Sequence, residues 1–336
     1  IDRSGLDPET HRLFLSSGAE TGRDSRRCRR AEASSMGEAV VQQSVGSEHS
    51  FESTSRFVKT SKWRLHYHEA GDGHPVIFLH GIGPGATAWS NFKQNIAGLA
   101  EHCRVILLDF PGWGKSDPVE VKGQTRWNLN REAVELLLDE LGIEKAALVG
   151  NSMGGIAALE FAAHHPERVS HAVTMGGGLF SLPNIFSPGG FSEGLRIIFE
   201  TYQDPKPENF RRLIEIMVFD KSFISDELVQ LRTAEALAHR THLENLMRSP
   251  LGDMPPGHYT GVSELMNMLA DLQTPVMMFH GRDDRTVPLE TTLKTAAILQ
   301  DARVVIINRC GHWLQVEHSE EFNRTLLNFL GVSPSC

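Results

Sequence analysis

The 336-residue chain is 40% hydrophobic and 22% charged, the composition expected of a soluble protein with a sizeable core and room for one large α/β domain carrying an insertion. A net charge of -9 and a pI near 6.0 exclude the basic face of a nucleic-acid or anionic-membrane binder and point to small-molecule partners. No apolar run approaches the roughly 20 residues that span a bilayer, no secretory core segment precedes the first regular element, and Cys28, Cys103, Cys310 and Cys336 lack metal-ligand or CxxC spacing; together these predict a cytoplasmic location with free thiols.

Residues 1–50 show no hydrophobic period and hold an arginine-rich patch (Arg23, Arg26, Arg27, Arg29, Arg30), which predicts a disordered leader. The acids Asp2, Asp7, Glu9, Glu20 and Asp24 are foreign to a transit peptide, so the expectation is an appended or upstream-translated leader, with Met36 a candidate start. From Phe57 the alternation through Trp63, Leu65 and Tyr67 predicts a half-exposed antiparallel hairpin. Short apolar runs then alternate with helical stretches: Val76 to Leu79, Val105 to Leu108, Ala146 to Val149, Ala172 to Met175, Val276 to Phe279 and Val304 to Ile307. Such near-continuous runs fit parallel strands covered on both faces, hence a mostly parallel central sheet with helices on both sides. Between the fourth and fifth runs strands vanish, and Phe210 to Phe219 and Asp226 to Met247 read as amphipathic helices. The reading is a core over residues 51–181 and 263–336 with a helical cap over 182–262, bounded by Pro183, Pro188, Gly189 and Gly190 at its entrance and Pro250, Gly252, Pro255, Pro256 and Gly257 at its exit.

Directly after the run ending at Val149 stands Gly150-Asn151-Ser152-Met153-Gly154-Gly155, followed by a helix rich in small residues that stops before Pro166. Three fixed positions, G-x-S-x-G, carry little information alone; placed between a strand and a helix they describe a tight turn that projects a nucleophilic serine. A serine needs a base within hydrogen-bond reach and a carboxylate to fix that base's tautomer. The chain supplies both in the order Ser, Asp, His: Asp283 and Asp284 follow the run ending at Phe279, and His312 follows the run ending at Ile307. Of the two acids, the turn pattern GxxDxxxP over Gly281 to Pro288 selects Asp284 and leaves Asp283 as an exposed neighbour or turn former. The other position a triad acid can take, after Met175, holds Gly176-Gly177-Gly178 and no carboxylate.

An acyl-transfer intermediate also needs two preorganised N–H donors. The expected pair is the amide of Met153, next after the serine, and that of Ile82 in the glycine-rich loop Gly81-Ile82-Gly83-Pro84-Gly85. The remaining histidines singled out by their pairing, His66 and His68, His164 and His165, His239 and His242, lack convergent acidic or thiol ligands and read as solvated or structural rather than metal-binding.

The segments HGIGPGATAWSNF, DFPGWGKSD, GNSMGG, GRDDRTVP and CGHW together make the chain, from about Phe51 to Leu330, resemble the meta-cleavage product hydrolases, carbon–carbon bond hydrolases of the α/β-hydrolase superfamily in aromatic-ring degradation. The resemblance implies a vinylogous 1,5-diketone acid as substrate, with Arg232, Asn91, Asn151 and Trp313 contacting its dienoate end beside Gly81 and Gly83. It implies proton transfer from dienol to keto form before cleavage, with His312 as shuttle and Ser152 either forming an acyl-enzyme or helping to activate water. It also implies a homo-oligomer, a dimer or higher, and calls for no metal or organic cofactor. At Ile82 the chain departs from the glycine or serine more usual there; a β-branched side chain narrows the pocket. Phe180, Phe186, Phe191, Phe199 and Met217 are candidate lining for an apolar acyl end, or cap core. A carboxylesterase of the same fold needs the same triad without Arg232 or the asparagines. A non-catalytic binding protein would be expected to have lost a triad member, and an aspartate nucleophile, as in dehalogenases, would stand where Ser152 does.

Overall fold

The computed structural model describes residues 49–179, 185–186, 191–248 and 260–332. Nearly all of the expected leader, Cys28, Cys336, Phe180 and the glycine- and proline-rich stretches expected at the ends of the cap lie outside the described residues.

The described residues begin with a one-turn helix α1 (Phe51–Thr54), then β1 (Ser55–Lys59), β2 (Arg64–Ala70) and β3 (Pro75–Leu79). Helix and strand alternate through α2 (Ala88–Ala100), β4 (Arg104–Leu108), α3 (Arg126–Glu140), β5 (Ala146–Asn151), α4 (Met153–His164) and β6 (Val169–Met175). Among the described residues four helices, α5 (Glu193–Gln203), α6 (Pro207–Met217), α7 (Asp226–Ala238) and α8 (Arg240–Arg248), follow without a strand. The alternation resumes with α9 (Thr260–Asp271), β7 (Val276–Gly281), α10 (Leu289–Ala296), β8 (Ala302–Ile307), α11 (Leu314–Glu317) and α12 (Ser319–Leu330). Among the described residues no helix is long and apolar enough to cross a membrane.

All strands of the described residues join one sheet in the order β1-β2-β4-β3-β5-β6-β7-β8, antiparallel at its first two pairings and parallel from β4 onward. Because strand side chains alternate between faces, each apolar run feeds two cores. Ile77, Leu79, Ile106, Leu108 and Leu148 pack with Leu137 of α3 and Phe161 of α4, while Val76, Phe78, Val105, Leu107 and Val149 meet Phe92 and Ile96 of α2 and Phe322 and Leu326 of α12. The chain leaves β3 toward β4 on one side and crosses to β5 on the other, so the loops after β3 and β5 diverge. That reversal opens a crevice at the carboxyl ends of the strands, where ligands of open α/β sheets bind.

Three expectations need correction. Strand β2 is not half exposed: Leu65, His66, Tyr67 and His68 are buried in succession, because Phe51 of α1 packs edge-on against His68 and Trp89, and because Asp109 accepts from Nδ1 of His66 at 2.7 Å. Strand β8, read as covered on both faces, is the sheet's edge, and Ile306 is 45% exposed. A run's composition reports apolarity but not its place in the order of strands. The segment from Asp226 is two helices, since His239 leaves helical geometry (φ -111, ψ 48) and separates α7 from α8.

Candidate active site

Ser152 sits between β5 and α4 with φ 53 and ψ -115, a region that side chains rarely adopt. Its amide donates to the carbonyl of Met175 at 2.8 Å and its carbonyl accepts from Ile156 to start α4. The glycines around it follow from contact distances: a Cβ on Gly154 would lie 2.0 Å from the carbonyl oxygen of Leu79, and one on Gly150 2.1 Å from the backbone of Gly154. Only a chain without side chains there lets helix and strands approach this closely.

Asp284 lies in the turn after β7. Its Oδ1 accepts from the amides of Thr286 at 2.7 Å and Val287 at 2.9 Å, which orients Oδ2 toward Nδ1 of His312, 2.7 Å away. Burial by itself raises the Asp284 carboxyl, but the charge and hydrogen bond of His312 outweigh it and hold the group below the usual carboxylate range. A carboxylate at Nδ1 keeps the proton there and leaves Nε2 able to accept one. Asp283 is turned away: its amide donates to the carbonyl of Cys310 and its side chain accepts from Arg282. Asp284, the acid that the turn pattern selects, is thus the one directed at His312, and Asp283 is not. Gly176 backs onto this pair, since a Cβ there would lie 2.9 Å from the His312 ring and 3.1 Å from Oδ2 of Asp284, and the next residue, Gly177, abuts the carbonyl of Ser152. The loops bearing Ser152, Asp284 and His312 therefore converge on one short turn after β6.

The loop after β3 lies against the serine turn, where a Cβ on Gly81 would meet Oδ1 of Asn151 at 2.8 Å and Cβ of Ser152 at 3.3 Å. His80 sets this loop. Its Nδ1 donates to the carbonyl of Gly81 at 2.9 Å while Nε2 accepts from the amide of Phe110 at 3.1 Å; burial lowers its pKa, consistent with a neutral ring. Ile82 is half-buried at the tip of this loop, and Met153 is the first residue of α4, where amides have no partner within the helix. Asp109, which accepts from the first amide of α2 at 2.7 Å, fixes the far end of the same loop.

Arg232 of α7 points inward and is 5% exposed. Its guanidinium donates to the carbonyl of Gly85 at 2.8 Å and the hydroxyl of Ser90 at 3.2 Å, and lies 5.0 Å above the ring of Trp313. Among the described residues no acid pairs with it, and burial lowers its pKa to about 10. Asn91, next to Ser90, spends its amide on the carbonyl of Thr87 at 3.0 Å. Asn151 donates to the carbonyls of Met175 at 3.2 Å and His312 at 3.3 Å, tying the serine turn to the histidine loop. Met217 is buried at the end of α6 and accepts from the hydroxyl of Thr286. Phe186 and Phe191, expected as pocket lining or cap core, are not buried: they are 89% and 73% exposed, and Phe191 packs against the half-buried Phe199.

The paired histidines resolve into structural roles. His66 and His68 are buried in β2, His242 is buried against Trp113 and bonded to the Tyr202 hydroxyl, and His164 and His239 face Glu160 and Glu235. Three residues around the site escaped the sequence reading: His80, Asp109 and Glu317. The first two sit inside HGIGPGA and DFPGWGKSD and carry a local signal; Glu317 has none, because two of its partners, Phe219 and Asp220, come from a distant stretch of chain.

The sequence profile described as alpha/beta hydrolase family matches residues 76–325. A 2-hydroxy-6-oxononadienedioate/2-hydroxy-6-oxononatrienedioate hydrolase of Cupriavidus pinatubonensis is 42% identical over 284 residues, covering 83% of this chain and 96% of that protein. A 2-hydroxy-6-oxo-6-phenylhexa-2,4-dienoate hydrolase of Burkholderia cepacia is also 42% identical, over 82% of this chain and 96% of its own. Among solved structures, a meta-cleavage product hydrolase from Pseudomonas fluorescens IP01 superposes with a TM-score of 0.71 at 30% identity, covering 83% of this chain and 98% of that one. The sheet order, the serine turn after its fifth strand and a match over most of the chain agree: this chain belongs to the alpha/beta hydrolase family.

Proposed function

We propose that the protein hydrolyses a carbon–carbon bond in 2-hydroxy-6-oxo dienoates, meta-cleavage products of aromatic rings, with Ser152, His312 and Asp284 as its catalytic triad. The observation that carries the substrate class is Arg232: a buried guanidinium without an acid partner among the described residues, resting on Trp313, the residue after His312. Burying a charge without an acid to pair it costs several kcal/mol, and a ligand carboxylate supplies the missing charge through a bidentate, charge-assisted contact. A simple ester has no use for that contact. The relatives named above act, by their names, on dienoates that bear this carboxylate.

On this reading the substrate carboxylate sits on Arg232 and Trp313, with Asn91 and Gly83 beside it, and the acyl carbonyl lies under Ser152. A proton moves from the dienol oxygen to the carbon that will depart, aided by His312, so that the leaving fragment has a carbonyl to receive electrons. Ser152, its proton taken by Nε2 of His312, attacks the acyl carbonyl, or His312 activates water to do so. The amides of Ile82 and Met153 stabilise the oxyanion. The carbon–carbon bond then breaks with its electron pair entering the dienolate, water supplies the hydroxyl of the released acid, and Asn151 keeps the serine turn and histidine loop in register. Asp284 holds the His312 tautomer throughout.

The deciding experiment follows loss of the dienol chromophore of a phenyl-substituted ring-cleavage product by stopped-flow absorbance, with a short p-nitrophenyl ester as comparison and Ser152→Ala as control. Fast dienol loss by the wild type alone supports the reading; ester turnover with no dienol cleavage replaces it with a carboxylesterase. We further infer, from the family resemblance, a homo-oligomer, which sedimentation velocity tests.

A further inference from the structure

Glu317, on the short helix α11, holds together two parts of the chain that the proposed reaction needs in register. Its Oε1 accepts from the amide of Gly311, the residue before His312, at 2.7 Å. Its Oε2 accepts from the amides of Phe219 at 2.7 Å and Asp220 at 2.9 Å, just beyond the end of α6. The same stretch reaches back, for the carbonyl of Met217 accepts from the amides of His312 at 2.7 Å and Trp313 at 3.1 Å. Gly311 lies so close that a Cβ on it would be 2.5 Å from the carbonyl oxygen of Met217. No lysine, arginine or histidine forms an ion pair with Glu317 among the described residues, so main-chain amides are what its carboxylate binds. It is half-buried, and burial raises its carboxyl above the usual range in spite of those amides.

This arrangement differs from a helix cap. The three donors belong to two loops far apart in the chain, and one of those loops carries the proposed base. Gly311 has no side chain of its own to fix it, so the position of the His312 backbone is set by Met217 on one side and Glu317 on the other. Only Nδ1 of the ring is fixed by Asp284; where Nε2 then points depends on the backbone beneath it.

We propose that Glu317 is a positioning residue that couples the seating of the α6 end of the helical insertion to the alignment of His312. The inference rests on the assignment of His312 as base. With the clamp in place, the insertion cannot lift at its α6 end without breaking the bonds of Phe219 and Asp220 to Glu317 and those of Met217 to the amides of His312 and Trp313, so an open insertion is also a misaligned base. A misplacement of about 1 Å lowers turnover by up to about 100-fold, while ground-state binding at Arg232, on α7, is left largely intact.

The test compares wild type with Glu317→Ala, Glu317→Gln and, as a background control, Glu320→Ala, an exposed neighbour. Competent sites are counted by stoichiometric labelling with diethyl p-nitrophenyl phosphate, and kcat and KM for the phenyl-substituted dienol are expressed per labelled site beside the thermal midpoint. Glu317→Ala is expected to lose about 30- to 100-fold in kcat with KM within about 3-fold. Glu317→Gln, whose carbonyl can serve one of the two loops, is expected to recover part of it, and Glu320→Ala to match wild type. A purely structural role would lower the labelled fraction and the midpoint yet leave kcat per labelled site unchanged, and that result overturns the proposal. Should the alanine variant not fold, a Glu317→Gln enzyme indistinguishable from wild type overturns it equally. Retained activity in His312→Ala would instead overturn the assignment of the base, so the two failures are separable.

Discussion

Replacing Arg232 by methionine tests the substrate assignment most directly, because the side chain's stem and packing survive while its charge is removed. The guanidinium is 5% exposed and its protein partners are a carbonyl and a hydroxyl, so a carboxylate bound there would form a desolvated, charge-assisted contact. Removing one partner of such a pair costs about 2 to 5 kcal/mol, equivalent to about 30- to 4,000-fold in kcat/KM for the dienoate. An ester without the carboxylate should change by less than about 3-fold, an allowance for small repacking. Stability gives an independent reading. Burial lowers the pKa of Arg232 from its ordinary value to about 10. For a base with a depressed folded value, the penalty on the charged form is fully present below that value and vanishes above the unfolded one. At neutral pH it is on the order of 3 kcal/mol, at about 1.4 kcal/mol per unit, and it offsets the loss of two hydrogen bonds. Arg232→Met should therefore be about as stable as wild type, or more so. Parallel loss of dienoate and ester turnover with a falling thermal midpoint would instead make Arg232 a structural tie between α7 and the loop at Gly85.

Other residues give equally direct expectations. Asp284→Asn should lower turnover of both substrates by about 10⁴-fold, by analogy with the loss of the orienting acid in serine proteases, whereas Asp283→Asn should stay within about 3-fold because it points away from His312; similar losses in the two would remove the distinction. Ser152→Gly should abolish activity yet raise the thermal midpoint, since relief of a strained φ of 53 is worth about 1–3 kcal/mol and each kcal/mol moves a domain of this size by roughly 2 °C; a lower midpoint refutes the strain argument. For Asp109, burial pushes the carboxyl up but the His66 and Ala88 contacts bring it below the usual range. Its stabilisation is thus present above the unfolded value of about 4 and lost as pH falls through the lower folded value. The difference in thermal midpoint between wild type and Asp109→Asn should accordingly be largest near neutral pH and shrink below about pH 4; a difference independent of pH would mean that the carboxylate's charge is not what matters.

Much of this site was legible in one dimension because its parts are local. The serine turn needs glycines within a few residues of Ser152, and the acid turn closes on its own amides at Thr286 and Val287, so G-x-S-x-G and GxxDxxxP record their geometry in consecutive positions. The inward direction of Arg232 was open until its neighbours were seen, since an arginine on a helix is as readily solvated as buried. The exposure of Phe186 and Phe191 shows the converse, that aromatic character alone does not place a ring in a pocket.

The amino-acid sequence by itself determined the alternation of strand and helix, the elements that bear Ser152, Asp284 and His312, and their order, because hydrophobic period and turn chemistry act over neighbouring residues. Tertiary structure decided the order of strands, which put Ile306 on an open edge, the burial of His66 and His68 beneath Phe51, and the clamp of Glu317 across Gly311, Phe219 and Asp220. Those contacts join stretches far apart in the chain, where closing a long loop carries an entropic cost that only the packed sheet repays, and no local pattern of residue types records which distant amides a carboxylate will meet.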